Sequence, residues 1–125
     1  MIHLDTNALI ALPLWARDGH PIIERIAAGE PAGVCTIAWY EFLIGPVDAD
    51  EVALAHAFVS GHIVAMETPD ARLAADLYNR AGRRRTLKTD ALIAAMAMRA
   101  GASLLTINTD DFRPFEPLGL KLAQE

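Results

Sequence analysis

Four short runs of apolar and β-branched residues, at positions 2–4, 34–37, 62–66 and 103–107, are separated by stretches with helical apolar spacing. Strands that alternate with one or two helices do not close as tight hairpins. They cross over and pair in parallel, with helices packed on the sheet. The sequence therefore predicts an α/β chain: a three-layer α/β/α sandwich around a mainly parallel sheet of four strands, or five if Leu120, Lys121 and Leu122 add one. A length of 125 residues suits a single domain over 1–125.

Local signals divide the helical stretches. Thr6 and Asn7 can cap a helix from residue 8 to about 12, ended by Pro13. Pro21 in a first turn and Gly29 after a last one frame a second helix, with Ile22, Ile23, Ile26 and Ala27 facing inward. A third covers 38–44, with Trp39, Phe42 and Leu43 on one side, and is broken by Gly45 and Pro46. A fourth covers 50–60. Thr68, Pro69 and Asp70 open a fifth that ends near Gly82, and Thr89 caps a sixth over 90–100 before Gly101. There is no internal repeat, low-complexity tract or linker.

Hydrophobic residues make up 53% of the chain and charged ones 22%, which excludes a disordered or fibrous protein. No apolar run approaches the roughly 20 residues of a membrane span. The opening Met1-Ile2-His3-Leu4-Asp5 lacks a basic n-region and an apolar h-region. One cysteine, Cys35, cannot form an internal disulfide and reads as a small core residue. A cytoplasmic protein without membrane contact is expected. The net charge of −5 argues at first against a nucleic-acid partner, but the charge is sorted along the chain. Arg80, Arg83, Arg84, Arg85 and Lys88 supply five of the eleven basic residues within nine positions. Such a run is ordinarily a solvated helix end. It becomes a phosphate-binding candidate only if it adjoins a reactive site.

In an open parallel sheet the ligand site lies beyond the carboxyl ends of the strands, and there this sequence is repeatedly acidic. Asp5 ends the first strand, Glu41 lies on the helix after the second, Asp90 opens the sixth helix, and Asp110 and Asp111 follow the fourth strand just past Asn108. Structural alternatives exist for some of them. Asp90 favours a helix macrodipole, and Asp111 can complete a capping box with Asn108. Glu41, among Trp39, Tyr40, Phe42, Leu43 and Ile44, is harder to account for, because an unpaired charge among apolar neighbours is costly. Acids collected at strand ends without interleaved Lys or Arg are best explained by a bound cation. Oxygen ligands without His or Cys favour Mg²⁺ or Mn²⁺. His3, His20, His56 and His62 are scattered and show no ligand spacing. Trp15 and Trp39 read as core or interface residues.

The segments HLDTNALIAL, TIAWYEFLIG, KTDALIAAMAMRAGASLLTIN and TDDF, in this order and spacing, resemble the motifs of PIN domains, and most of all those of VapC toxins from toxin–antitoxin pairs. The likeness runs essentially end to end. It implies RNA cleavage, inhibition by a cognate antitoxin protein, and a metal site built from Asp5, Glu41 and Asp90. Many PIN domains carry an acid directly after the last core strand, where this chain has Asn108. The alignment implies Asp111, just before Phe112, as the fourth ligand, with Asp110 and Asn108 as alternatives.

On this reading Asp5 and Asp90 bind the metal directly, and Glu41 acts through water or a second ion. Thr6, Thr106, Asn108 and Asp110 support them, while Arg83, Arg84, Arg85 and Lys88 guide RNA phosphates in. Attack by a metal-activated water leaves a 3′-hydroxyl and a 5′-phosphate, as the family implies. A homodimer is expected, with apolar patches around Trp15, Trp39 or Phe58 as its surface or the antitoxin's. Three alternatives compete. A haloacid-dehalogenase-like phosphotransfer enzyme also begins with Asp after strand one but needs a second Asp at the position of Asn7. A degenerate PIN-fold binding module would not need Asp5, Glu41 and Asp90 together. A flap-type nuclease needs insertions larger than this sequence has.

Overall fold

A computed structural model describes residues 1–123. The chain runs through β1 (Ile2–Leu4), α1 (Thr6–Asp18), α2 (Pro21–Ala27), β2 (Ala32–Cys35), α3 (Thr36–Leu43), α4 (Ala49–Phe58), β3 (Ile63–Val64) and α5 (Thr68–Arg80). A short 3₁₀ turn (Arg85–Leu87) leads into α6 (Lys88–Arg99), β4 (Ser103–Leu105) and α7 (Thr109–Phe112), and a second 3₁₀ stretch (Arg113–Leu118) follows.

The sheet order is β3-β2-β1-β4, and every pairing is parallel. Ile2 stands opposite Ala32 on one side and Ser103 on the other. All three residues of β1 and all four of β2 are buried, so helices cover both faces. This is the predicted three-layer α/β/α arrangement. Leu122 makes one parallel bridge to Leu104 instead of a fifth strand. Pro114 and Pro117 in the preceding 3₁₀ stretch, then Gly119 at φ 117°, leave that segment few residues to extend.

Chain direction reverses at β1. The path steps outward to β2 and β3, then returns to lay β4 on the opposite side of β1. The carboxyl ends of β1 and β4 therefore flank the switch point where parallel sheets leave an open crevice.

Several local expectations are corrected. The first helix does not stop at residue 12. It runs through Pro13 to Asp18, and Gly19 at φ 71° closes it. Proline forfeits one backbone bond there, but Leu12 before it is buried and Trp15 beyond it packs on the core and stacks on His20 at 4.3 Å. Asp5, not Thr6 or Asn7, is the cap of α1. Thr89 does not cap α6, which begins a residue earlier at Lys88. Asp48 and Glu51 form a full capping box at α4.

Small side chains govern how closely the layers approach. Gly33 lies opposite His3, and a Cβ there would stand 3.3 Å from the imidazole and from the His62 carbonyl. Ala91, Ala94, Ala95 and Ala97 are all buried in α6, which runs close beside α5 and α3. The buried Asp70 ties these helices together. It accepts the Glu67 N–H and pairs with Arg99 at 2.7 Å, joining the start of α5 to the end of α6. Among the described residues no helix is long and apolar enough to cross a membrane.

Candidate active site

Asp5 is set by the fold to a single geometry. It directly follows β1, is only 5% exposed, and each of its carboxylate oxygens is held. The Thr6 N–H donates to Oδ1 at 2.8 Å, and the Thr106 hydroxyl donates to Oδ2 at 2.9 Å. Thr106 lies just past β4, so this bond joins the two strands that bound the crevice. Thr6 also donates its own hydroxyl to Glu41 Oε1 at 2.9 Å, across the packed faces of α1 and α3. One threonine therefore orients two carboxylates, through its amide and through its side chain.

Asp90 enters from the first turn of α6, and Asp111 from α7. Burial raises the Asp5 carboxyl above its usual range against the help of its two donors, and the charges of Glu41 and Asp111 add to the rise. Asp90 has no such donors. Burial, then the charges of Asp5, Asp111 and Glu41, push it up to about 7. The charges of Glu41 and Asp111 thus reach both Asp5 and Asp90, which places the four carboxylates near one another beyond the ends of β1 and β4. No ion pair among the described residues involves any of them.

The donor set suits a divalent cation in its chemistry: carboxylate oxygens only, with Asp5 and Asp90 partly desolvated and no basic partner among the described residues. The side chains do not form a finished cage, since among the described residues no three His, Cys, Asp or Glu side chains are grouped tightly enough to hold an ion as they stand.

The PIN-domain family model matches residues 2–115 of the sequence, spanning the sheet and all four of these acids. The chain belongs to the PIN-domain family. No curated protein matches it. Among solved structures it resembles FitAcB from Neisseria gonorrhoeae at 19% identity, covering 99% of this chain and 97% of that one, with a TM-score of 0.71. A toxin–antitoxin complex from Klebsiella pneumoniae is similar at 24% identity over 90% and 91% of the two chains, with a TM-score of 0.68. VapBC2 from Rickettsia felis, bound to a DNA fragment from its promoter, aligns over 98% of both chains at 20% identity and a TM-score of 0.63. At these identities the likeness is one of fold.

Within this PIN domain the other predicted residues separate into those at the pocket and those away from it. Thr6 and Thr106 touch the carboxylates directly. Asn108 contributes backbone: its N–H donates to Thr106 Oγ1 at 3.0 Å, and its carbonyl accepts the Asp111 N–H at 3.1 Å. Its side chain makes no capping bond, so Asp111 is not half of a capping box. Asp110 is a correction. Its side chain is 95% exposed and pairs with Arg113, outside the pocket.

Arg83 makes contacts within its own turn. It sits at φ 57°, its guanidinium lies 5.4 Å from the centre of the Tyr78 ring and bonds Asn79, and its carbonyl accepts the Tyr78 hydroxyl. Arg83 thus closes the end of α5 and, like Arg84, Arg85 and Lys88, stays exposed in the run that leads into Asp90. Trp15, Trp39 and Phe58 are partly buried against the core and do not form an open apolar patch. Exposed apolar side chains elsewhere include Ile10 and Leu14 on α1, Tyr40 and Leu43 on α3 with Ile44 just after it, Leu54 on α4, and Ile107 after β4.

Proposed function

We propose that this PIN domain is an Mg²⁺- or Mn²⁺-dependent endoribonuclease and the toxin of a toxin–antitoxin pair. The observation that carries the reading is the convergence of Asp5, Glu41, Asp90 and Asp111 on the crevice between β1 and β4 without a basic partner. Asp5 and Asp90 would hold the ion directly, with Glu41 and Asp111 completing the site. A bound divalent ion lowers the pKa of its water and neutralises charge on the phosphoryl group under attack. The protein's own part is orientation. Thr6 and Thr106 lock the Asp5 carboxylate, and the Thr6 hydroxyl fixes Glu41 so that it can direct the attacking water. Burial and the charges of Asp5, Asp111 and Glu41 raise the Asp90 carboxyl to about 7, and a bound cation would favour its ionised form.

An antitoxin partner is supported by the surface beside this pocket. Ile10 lies four residues past Thr6 on α1, and Leu14 four past Ile10, so both share the face that begins at Glu41's hydrogen-bond partner. Tyr40 and Ile44 are exposed on the neighbouring helix and its end. This surface suits an amphipathic partner segment whose Lys or Arg reaches the acids. The similar Klebsiella structure is a toxin–antitoxin complex, and the Rickettsia one is VapBC2 bound to a promoter DNA fragment.

The purified protein is expected to cut RNA only with Mg²⁺ or Mn²⁺ present and to arrest growth when expressed alone, relieved by co-expression of its antitoxin. Undiminished cleavage in excess chelator would remove the metal mechanism. Harmless expression of an active enzyme would remove the toxin role.

The loop supplies a separate expectation. Replacing Arg84, Arg85 and Lys88 by Ala should flatten the dependence of log K on log salt by about 2 units, since each phosphate contact to single-stranded nucleic acid contributes roughly 0.7. Arg83→Ala should also lower the melting temperature, because it removes the contacts to Tyr78 and Asn79. Titration of a cleavage-dead background at several salt concentrations decides it, and equal slopes would reduce the triple to solvated surface.

A further inference from the structure

Asn7 is not the helix cap that the sequence suggested, and it stands where a phosphotransfer enzyme would need a second Asp, yet it is bonded to the segment that carries Thr106 and Asp111. Its Oδ1 accepts the Ile107 N–H at 3.1 Å and lies 3.5 Å from Thr106 Oγ1. A backbone N–H can only donate, so the amide orientation is fixed with oxygen inward. Thr106 has one hydroxyl proton and two acceptors in reach. The shorter contact, to the Asp5 carboxylate at 2.9 Å, takes it. Asn7 therefore serves the backbone and leaves the Thr106 proton to Asp5.

The segment itself has few other anchors. β4 ends at Leu105 and α7 starts at Thr109, so residues 106–108 belong to no ladder or helix. Ile107 is 52% exposed, and its side chain does not root the segment in the core. What fixes it is a short chain of polar contacts. Asn7 holds Ile107, Thr106 holds the Asn108 N–H, and the Asn108 carbonyl holds the Asp111 N–H. Two of the four carboxylates depend on this chain: Asp5 for its Oδ2 donor, and Asp111 for its place.

We propose that Asn7 is a positioning residue for the carboxylate site, fixing the 106–111 segment so that Thr106 is aimed at Asp5 and Asp111 is delivered to the same crevice. The inference rests on the metal-dependent nuclease reading and assigns it one further residue.

The test compares the full-length wild type with Asn7→Ala and Asn7→Asp. Mn²⁺ binding is followed by loss of the free-ion paramagnetic resonance signal, and kcat and KM are measured separately on one RNA. Asn7→Ala should weaken Mn²⁺ binding and lower kcat by about tenfold each, the scale for loss of an outer-shell partner, with KM for RNA within about twofold of wild type. Asn7→Asp keeps an oxygen facing the Ile107 N–H and should bind Mn²⁺ at least as tightly as wild type. A folded Asn7→Ala with wild-type Mn²⁺ affinity and kcat overturns the proposal, as does an Asn7→Asp as impaired as Asn7→Ala. If Asn7→Ala does not fold, Asn7→Ser, whose hydroxyl is too short to span to Ile107, is judged by the same readouts. Failure of both to fold overturns the proposal, because the residue would then serve the whole fold. A wild type that neither binds Mn²⁺ nor cuts RNA defeats the nuclease reading itself, a result separate from any behaviour of the variants.

Discussion

Asp90→Asn is expected to lower RNA cleavage by at least ~10²-fold, the scale on which removal of a single electrostatic stabiliser acts, while leaving the fold and RNA affinity intact. Asparagine keeps the shape and one oxygen but removes the charge that attracts a divalent ion. The fold has little to lose, because α6 starts at Lys88 and Asp90 caps nothing. RNA affinity should persist because Arg84, Arg85 and Lys88, exposed just upstream, are untouched. The loss should therefore fall on kcat with KM nearly unchanged, and raising Mg²⁺ should recover little of it. Asp110→Asn is the matched control. Its carboxylate is exposed and paired with Arg113, so activity should stay within about twofold of wild type, as for surface changes away from a site. Full activity of Asp90→Asn, or an equal loss in Asp110→Asn, would contradict the assignment of the pocket.

The position of the pocket was legible because two rules coincide. Runs as short as Ile2–Leu4 and Ser103–Leu105, separated by helices, require parallel pairing, and parallel sheets put their sites at strand ends, where Asp5 and Asp111 follow. What sequence could not supply was the outcome of competition between local and tertiary forces. Pro13 is a local stop signal, overridden because Leu12 and Trp15 pack on either side of it. Arg83 and Arg85 are the same residue type two positions apart. Only the turn at Gly82 decides that the first folds back on Tyr78 and Asn79 while the second opens the 3₁₀ turn before α6. Asp110 and Asp111 are adjacent and identical, and the phase of the short α7 sends one to Arg113 and the other to the pocket. Asn7 was readable only as a helix cap or a missing Asp, since its partner Ile107 is 100 residues away.

In chelator, Asp90→Asn should melt above the wild type at neutral pH, and the difference should close as the pH falls. The folded protein holds the Asp90 carboxyl up to about 7, against an ordinary value of 3.8 for the unfolded chain. Between those values the folded state binds more protons than the unfolded state, so the wild type loses stability as pH rises through that window and levels off above it. Asparagine does not titrate, so its advantage grows from about pH 4 to pH 7 and then stays constant. A fully buried group with this displacement would represent ~4 kcal/mol. Asp90 is only half-buried and screened by water, so about 1–2 kcal/mol is expected, or roughly 4–8 °C in a domain of this size. Asp5→Asn should gain less, since its new amide NH₂ would face either the Thr6 N–H or the Thr106 hydroxyl that now donates to the carboxylate. Mn²⁺ should reverse the order of wild type and Asp90→Asn, because an ion bound only by the folded state adds about 2.7 kcal/mol at a hundredfold excess over its Kd, and the variant binds it weakly. Melts of the three proteins at pH 5 and pH 8, in chelator and in Mn²⁺, measure all of this. An Asp90→Asn that melts below wild type at pH 8 in chelator, with neither protein shifted by Mn²⁺, would mean that Asp90 stabilises the fold and that the four acids do not share an ion.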